Sequence, residues 1–123
     1  MCGLWGYAGD RGADPEILSE IAKTASRRGP DGWGVWSDGK IWRGTGVINP
    51  KFINIDASVI IGHARLSTML GAKEPANGQP LCCSDIVLSH NGSVWNYGEI
   101  KDLLQLSTGC DSEALAIALS EKS

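Results

Sequence analysis

The chain has 123 residues, a length at which a single domain can bury one hydrophobic core without disulfides or metals. Its content of 42% hydrophobic and 20% charged residues is ordinary for a globular protein and argues against a disordered chain. The net charge of −3, the lack of a Lys/Arg-rich stripe and the short apolar runs argue against both nucleic-acid and membrane partners.

The N-terminus shows neither the charged nor the apolar segment of a secretory signal, so we expect a cytoplasmic protein. Its four cysteines are therefore interpreted as reduced thiols. No CxxC pair supports zinc, and adjacent Cys82 and Cys83 are poorly placed to share one tetrahedral ion. We expect no metal site and no cofactor, and we interpret His63 and His90 as hydrogen-bonded residues at strand ends.

The first segments predict a strand followed by a helix. Residues 3–8 are a short apolar run, and Asp14 followed by Pro15 is typical of a helix start. Apolar residues at helical spacing then predict a buried stripe of Ile17, Leu18, Ile21, Ala22 and Ala25. Gly29 and Pro30 are predicted to end this helix.

The remaining segments predict further hairpins and helices. Asp38-Gly39 is a turn signal for a two-residue β-hairpin. In chain order, we expect hairpin strands at 33–37 and 41–43, a buried strand at 58–62, a polar loop at 70–80 and a strand at 86–89. We then expect a helix at 97–106, with Ile100, Leu103 and Leu104 facing inward. A last helix is predicted to be capped by Asp111 or Ser112 and to carry Leu115, Ala116 and Leu119. Hairpins and long loops favour sheets flanked by helices over a Rossmann unit.

Five short motifs place polar residues at turns or strand ends, in most cases beside glycines. They are MCG at the N-terminus, RRGPDGWG at 27–34, GHARLST at 62–68, SHNGSVWNY at 89–97 and GCDSE at 109–113. Such segments expose backbone N–H groups and side chains, and binding and catalytic residues are concentrated there. Each motif alone is a weak signal, whereas their order along one chain is specific.

In this order the motifs resemble the glutaminase domain of class II glutamine amidotransferases, which are N-terminal nucleophile hydrolases. RGPDG and GHARLST look closest to the asparagine synthetase branch. The resemblance covers nearly the whole chain and implies a single glutaminase-type domain over residues 1–123. It also implies an α+β fold, an αββα sandwich of the N-terminal nucleophile type. That fold would be abbreviated at its C-terminus, because family domains add strands beyond the helix that follows GCDSE.

The resemblance implies that Cys2 is the nucleophile. Trimming of Met1, which is common before a small residue, would leave Cys2 with a free α-amine. Such an amine titrates at roughly 7.7–8.0, which suits a general base for the adjacent thiol. The implied reaction is hydrolysis of L-glutamine to L-glutamate and ammonia through a thioester on Cys2. The ammonia would pass to a separate synthetase partner.

The resemblance also implies roles for five further residues. Arg65 would bind the α-carboxylate of glutamine, as would Thr68 in some branches, and Asp111 would bind its α-ammonium. The side chain of Asn91 and the backbone N–H of Gly92 would donate to the oxyanion of the tetrahedral intermediate. RRGPDGWG would shape a wall of the site, and Gly78-Gln79-Pro80 resembles a loop near the glutamine pocket without a catalytic role.

Each of these residues has a structural alternative. Cys2 could be a frayed terminal residue, Arg65 a surface ion-pair partner, Asp111 a helix cap, and Asn91-Gly92 a hairpin turn. Two other functions also stay open. One is a non-catalytic glutamine-binding module that regulates a partner, and the other is an N-terminal cysteine amidase acting on another amide. Apart from L-glutamine, the expected binding partner of the chain is an ammonia-accepting synthetase subunit or a second copy of the chain in a homodimer.

Overall fold

The computed structural model describes residues 2–10, 12–66, 78–107 and 110–122. The elements are β1 (Gly3–Ala8), α1 (Pro15–Ser26), β2 (Gly32–Ser37), β3 (Lys40–Thr45), a 3₁₀ turn (Pro50–Phe52), β4 (Val59–Arg65), β5 (Leu81–Cys83), β6 (Ile86–Leu88), α2 (Tyr97–Leu103) and α3 (Asp111–Lys122). Within the described ranges, no helix is both long and apolar enough to cross a membrane.

A four-stranded antiparallel sheet in the order β1-β4-β2-β3 forms the centre of the fold. The β2–β3 hairpin turns at Asp38 and Gly39, whose φ angles of 44° and 92° are both positive. Two positive φ angles are what a two-residue hairpin of type I′ requires, so the turn predicted from Asp-Gly is confirmed.

Helix α1 packs against one face of this sheet. It begins as predicted, because the Asp14 carboxylate accepts hydrogen bonds from the N–H groups of Glu16 and Ile17 at 2.9 and 3.3 Å. The buried residues of the helix and the strand residues they pack with form one core, which includes Leu18, Ala22, Ala25, Trp5, Trp33, Val35, Ile60 and Ala64. Two residues of the predicted stripe, Ile17 and Ile21, are instead 59% and 38% exposed.

The opposite face of the sheet meets the second half of the chain. Gly34 on β2 lies so close to the backbone oxygen of Gln79 that a side chain at this position would collide with it. Arg43 on β3 donates to the carbonyl of Pro80 at 2.8 Å. The segment that leads into the β5–β6 hairpin is thereby fixed to the sheet, and α3 packs on that hairpin and on α2.

Several predicted boundaries differ from the structure. Strand β4 extends three residues beyond the predicted 58–62, so Arg65 is its last residue. Strand β5 was not predicted. Helix α2 ends at Leu103, which is 83% exposed, so its predicted inward orientation is wrong. Helix α3 begins at Asp111 itself, and Leu119, one of the apolar residues predicted to lie on it, is 43% exposed. The mixed composition of antiparallel sheets and helices agrees with the predicted α+β class.

Candidate functional site

The nucleophile predicted from the sequence, Cys2, directly precedes β1 and is half-buried. In the β1–β4 pairing Gly3 lies opposite Ala64, so the same register continued by one residue brings Cys2 opposite Arg65. The Cys2 sulfur accepts a hydrogen bond from the backbone N–H of Leu66 at 3.5 Å. The thiol is therefore located at the end of β4 by a contact that spans 64 residues of sequence.

The turn within RRGPDGWG packs against the backbone at the end of β4. Gly29 lies against the backbone of Ala64 and Arg65, where a β-carbon would overlap the main chain. The N–H of Asp31 donates to the carbonyl of Arg65 at 2.9 Å. Only glycine permits this approach, and it fixes the backbone from which the Arg65 side chain projects.

Asn91 lies beside the predicted nucleophile. Its amide nitrogen Nδ2 donates to the carbonyl oxygen of Cys2 at 3.2 Å, across 89 residues of sequence. Asn91 and Gly92 are both exposed and follow β6, so they are accessible to a substrate on Cys2. The Asn91 amide therefore lies within hydrogen-bond distance of the backbone of the predicted nucleophile.

Asp111, the first residue of α3, connects the turn after Asn91 to this helix. Its Oδ2 accepts from the backbone N–H of Val94 at 2.8 Å, and its Oδ1 accepts from the N–H of Ser112 at 2.8 Å. The side chain therefore joins the start of α3 to the turn after Asn91, which differs from the helix cap that we considered as an alternative. A carboxylate has about four lone-pair sites, so these two bonds leave capacity for an ammonium group.

Three side chains that were given no catalytic role form a hydrogen-bonded network next to Asn91. The backbone N–H of His90 donates to Gln79 Oε1 at 2.5 Å, and Gln79 Nε2 donates to Ser112 Oγ at 3.2 Å. The hydroxyl of Ser112 also lies 2.9 Å from His90 Nδ1. These distances fix the orientation of the Gln79 amide, because only its oxygen can accept from a backbone N–H.

His63 on β4 contacts the same turn from the sheet. Burial, and next the nearby Arg65 guanidinium, lower the pKa of His63 from 6.5 to about 4, although a hydrogen bond to the His90 backbone opposes this shift. Because that bond favours the protonated ring, the imidazole is its donor and the His90 carbonyl its acceptor. His63 Nε2 is buried without a hydrogen-bond partner among the described residues. The imidazole is therefore neutral at neutral pH.

A largely apolar groove of about 730 Å³ lies between β1 and α1. Its lining includes Cys2 and Asn91 together with Leu4, Ile17 and Ile21. The charged residues Glu20 and Arg28 line it, but neither Arg65 nor Asp111 does, so the groove is not formed by the charged pair predicted to bind glutamine. The structure thus brings Cys2, Asn91 and the end of β4 together and connects Asp111 to them through Val94. Thr68 and Met1 lie outside the described residues.

No described group of three or more His, Cys, Asp or Glu side chains is arranged to hold a metal ion. The network of Gln79, His90 and Ser112 was not predicted from the sequence. Its three residues do lie in segments that the sequence singled out, namely Gly78-Gln79-Pro80, SHNGSVWNY and GCDSE, but none of the three was assigned a catalytic role.

Comparisons with known proteins show the family of the chain. The curated relatives are glutamine–fructose-6-phosphate aminotransferases: those of Pyrococcus horikoshii and Thermococcus kodakarensis are 32% and 31% identical over 98% and 99% of this chain. The enzyme of Methanococcus maripaludis is 33% identical over 85% of the chain. The chain spans 23%, 23% and 19% of these relatives' lengths, and no solved structure gave a significant match. The family model for the glutamine amidotransferase domain matches residues 49–122, and the chain belongs to that family.

Proposed function

We propose that this domain hydrolyses L-glutamine to L-glutamate and ammonia with Cys2 as the nucleophile. Removal of Met1 frees the α-amine of Cys2, which takes the thiol proton directly or through a water. The sulfur attacks the side-chain amide carbon, and the resulting ammonium returns the proton to the leaving nitrogen as the C–N bond breaks. Ammonia departs and a thioester to Cys2 is left. A water, deprotonated by the same amine, then releases glutamate and restores the thiol.

The amino-acid end and the oxyanion are bound by separate groups in this proposal. Arg65, with Thr68, binds the α-carboxylate, for which a guanidinium is the natural bidentate partner. Asp111 binds the α-ammonium with the lone pairs that Val94 and Ser112 leave open. Asn91 Nδ2 and the N–H of Gly92 donate to the oxyanion, which requires Asn91 to turn from the Cys2 carbonyl toward the substrate.

The observation that carries the proposal is the hydrogen bond from Asn91 Nδ2 to the carbonyl of Cys2 at 3.2 Å. This contact across 89 residues supports a shared site for the Cys2 thiol and the Asn91 amide, and the family model includes the Asn91 segment. A frayed N-terminal residue would not be expected to form a hydrogen bond with that motif. The αββα sandwich and the single domain over residues 1–123 are part of this proposal.

For the ammonia acceptor we propose only a class, which is a cytoplasmic synthetase-type partner or a further domain. The names of the relatives point to fructose 6-phosphate as the compound that is aminated. The motifs RGPDG and GHARLST favour the asparagine synthetase branch instead. Supplying each type of partner domain with glutamine and measuring the aminated product separates these acceptors.

Release of glutamate in the absence of any acceptor tests the hydrolytic step. The Cys2→Ala variant keeps a small residue after Met1, so trimming is retained while the thiol is lost. We expect glutamate release to fall by at least about 1,000-fold, as for loss of other catalytic nucleophiles. Cys82→Ser removes an exposed thiol and is the matched control, with unchanged activity expected. If the wild-type chain binds glutamine but releases no glutamate, the non-catalytic binding module is the correct function.

A further inference from the structure

The turn that carries Asn91 and Gly92 is exposed, yet an oxyanion hole needs its donors held within a fraction of an ångström. Exposed loops do not achieve this by themselves, because little packing restricts them. The residues that fix this turn must therefore lie on either side of it, at His90 and at Val94.

His90 is held by hydrogen bonds from three separate parts of the fold. Its N–H donates to Gln79 in the segment before β5, its ring contacts Ser112 on α3, and its carbonyl accepts from His63 on β4. On the far side of the turn, the N–H of Val94 donates to Asp111 on the same helix. The three residues between these anchors are Asn91, Gly92 and Ser93.

Gln79 and Ser112 are themselves rigidly placed. The backbone of Gln79 lies against Gly34 of β2, and the neighbouring Pro80 is buried and accepts from Arg43. Ser112 is 4% exposed, and its hydroxyl is shared between Gln79 Nε2 and His90 Nδ1. A motion of the His90 backbone would break at least one bond to a residue fixed on the sheet or on α3.

We propose that Gln79 and Ser112 are positioning residues that act through His90 to aim the oxyanion donors Asn91 and Gly92 at Cys2. The inference rests on the proposed glutamine hydrolysis. Neither residue touches the substrate in this account. Ser112 has a second link to the site, because its N–H donates to Asp111. This bond is made by the backbone and survives removal of the hydroxyl.

A positioning role predicts that substitution of these residues lowers kcat and leaves KM nearly unchanged. Oxyanion donors act on the tetrahedral intermediate, whereas Arg65 and Asp111 act on bound glutamine, so a misplaced turn lowers kcat without weakening substrate binding. For Ser112→Ala we expect kcat for glutamine hydrolysis to fall about tenfold, with KM within about twofold of the wild-type value. This is a smaller loss than the roughly 100- to 1,000-fold that accompanies deletion of a donor itself.

Gln79→Glu is the second variant. Its carboxylate still accepts from the His90 N–H, but its contact with Ser112 now takes the proton of the serine hydroxyl, which is then lost to His90 Nδ1, so we expect the same direction of change in kcat. Ser26→Ala is the matched control, because Ser26 is also 4% exposed and its hydroxyl donates to the Ala22 carbonyl within α1. Ser26→Ala is expected to lose stability in a similar way and to keep kcat.

The experiment measures kcat, KM and the thermal midpoint for the four proteins. A drop in kcat confined to Ser112→Ala and Gln79→Glu supports the positioning role. The inference is overturned if both keep a wild-type kcat, if KM alone rises, or if Ser26→Ala loses as much kcat at equal stability. Failure of the wild-type chain to hydrolyse glutamine is a separate outcome, which refutes the proposed function and with it this role.

Discussion

At the scale of single residues, His63 shows how burial decides the chemistry of a side chain within a polar motif. We interpreted His63 in GHARLST as a hydrogen-bonded residue at a strand end, and it lies in β4, where alternate residues face opposite sides of the sheet. His63 is 2% exposed and lies near the positively charged Arg65, so protonation of its ring is unfavourable in the folded state. Its neutral imidazole supports the His90 carbonyl without adding charge next to Arg65.

The lowered pKa of His63 predicts a specific pH dependence of stability. The folded pKa is about 4 against an ordinary value of 6.5, so the unfolded chain binds more protons between these pH values. The free energy of unfolding should therefore rise with pH across this window, by up to about 3 kcal/mol, and level off above it. Urea unfolding of the wild-type chain and of His63→Gln between pH 4 and 7 measures the effect.

Carboxylates titrate in both proteins. The contribution of His63 is therefore the difference between the two slopes of unfolding free energy against pH. NMR titration of the His63 ring in the folded wild-type chain gives the same pKa without any substitution. Equal pH slopes in the two proteins, or a ring that titrates near 6.5, would show that burial does not suppress protonation here.

At the scale of secondary-structure elements, Gly34 makes a close backbone contact between the two halves of the chain. A β-carbon there would overlap the backbone oxygen of Gln79, and a backbone group cannot move aside as a flexible side chain can. The contact joins β2 to the segment that positions His90. We therefore expect substitutions at Gly34 to affect both stability and catalysis.

Gly34→Ala should destabilise the fold by about 2–3 kcal/mol, in the range of overpacked core positions. It should also lower kcat, because Gln79 is displaced. The matched control is Gly98→Ala in α2, where nothing lies within 4 Å of the added methyl group. That substitution should be neutral or stabilise by up to about 1 kcal/mol, since alanine favours helix. Chemical unfolding distinguishes the two, and equal stability of both variants would exclude the tight contact.

Elements with strong local signals were predictable from the sequence, and those without them were not. Asp14-Pro15 and Asp38-Gly39 fixed a helix start and a hairpin because their backbone preferences are local. Strand β5 has three residues and no alternating pattern to detect. The exposure of Leu103 depends on where α2 packs, which helical spacing alone does not determine.

At the scale of the whole molecule, the order of five motifs was enough to predict the family, while the support of the site was not predictable. Gln79, His90 and Ser112 are separated by 11 and 22 residues, and neither spacing belongs to a helix or a strand. Their contact arises only when the β5 segment and α3 fold onto the sheet. The likeness to family motifs therefore predicted residues that act on substrate better than residues that position them.

The central claim is that Cys2, freed of Met1, is the nucleophile of a glutamine site. The most direct test is the intact mass of the chain before and after treatment with 6-diazo-5-oxo-L-norleucine, a glutamine-like alkylating agent, followed by peptide mapping. We predict a chain without Met1 that gains one adduct on Cys2, with labelling slowed by excess glutamine. A chain that retains Met1 and gains no adduct, or one alkylated at Cys82 regardless of glutamine, would contradict the account.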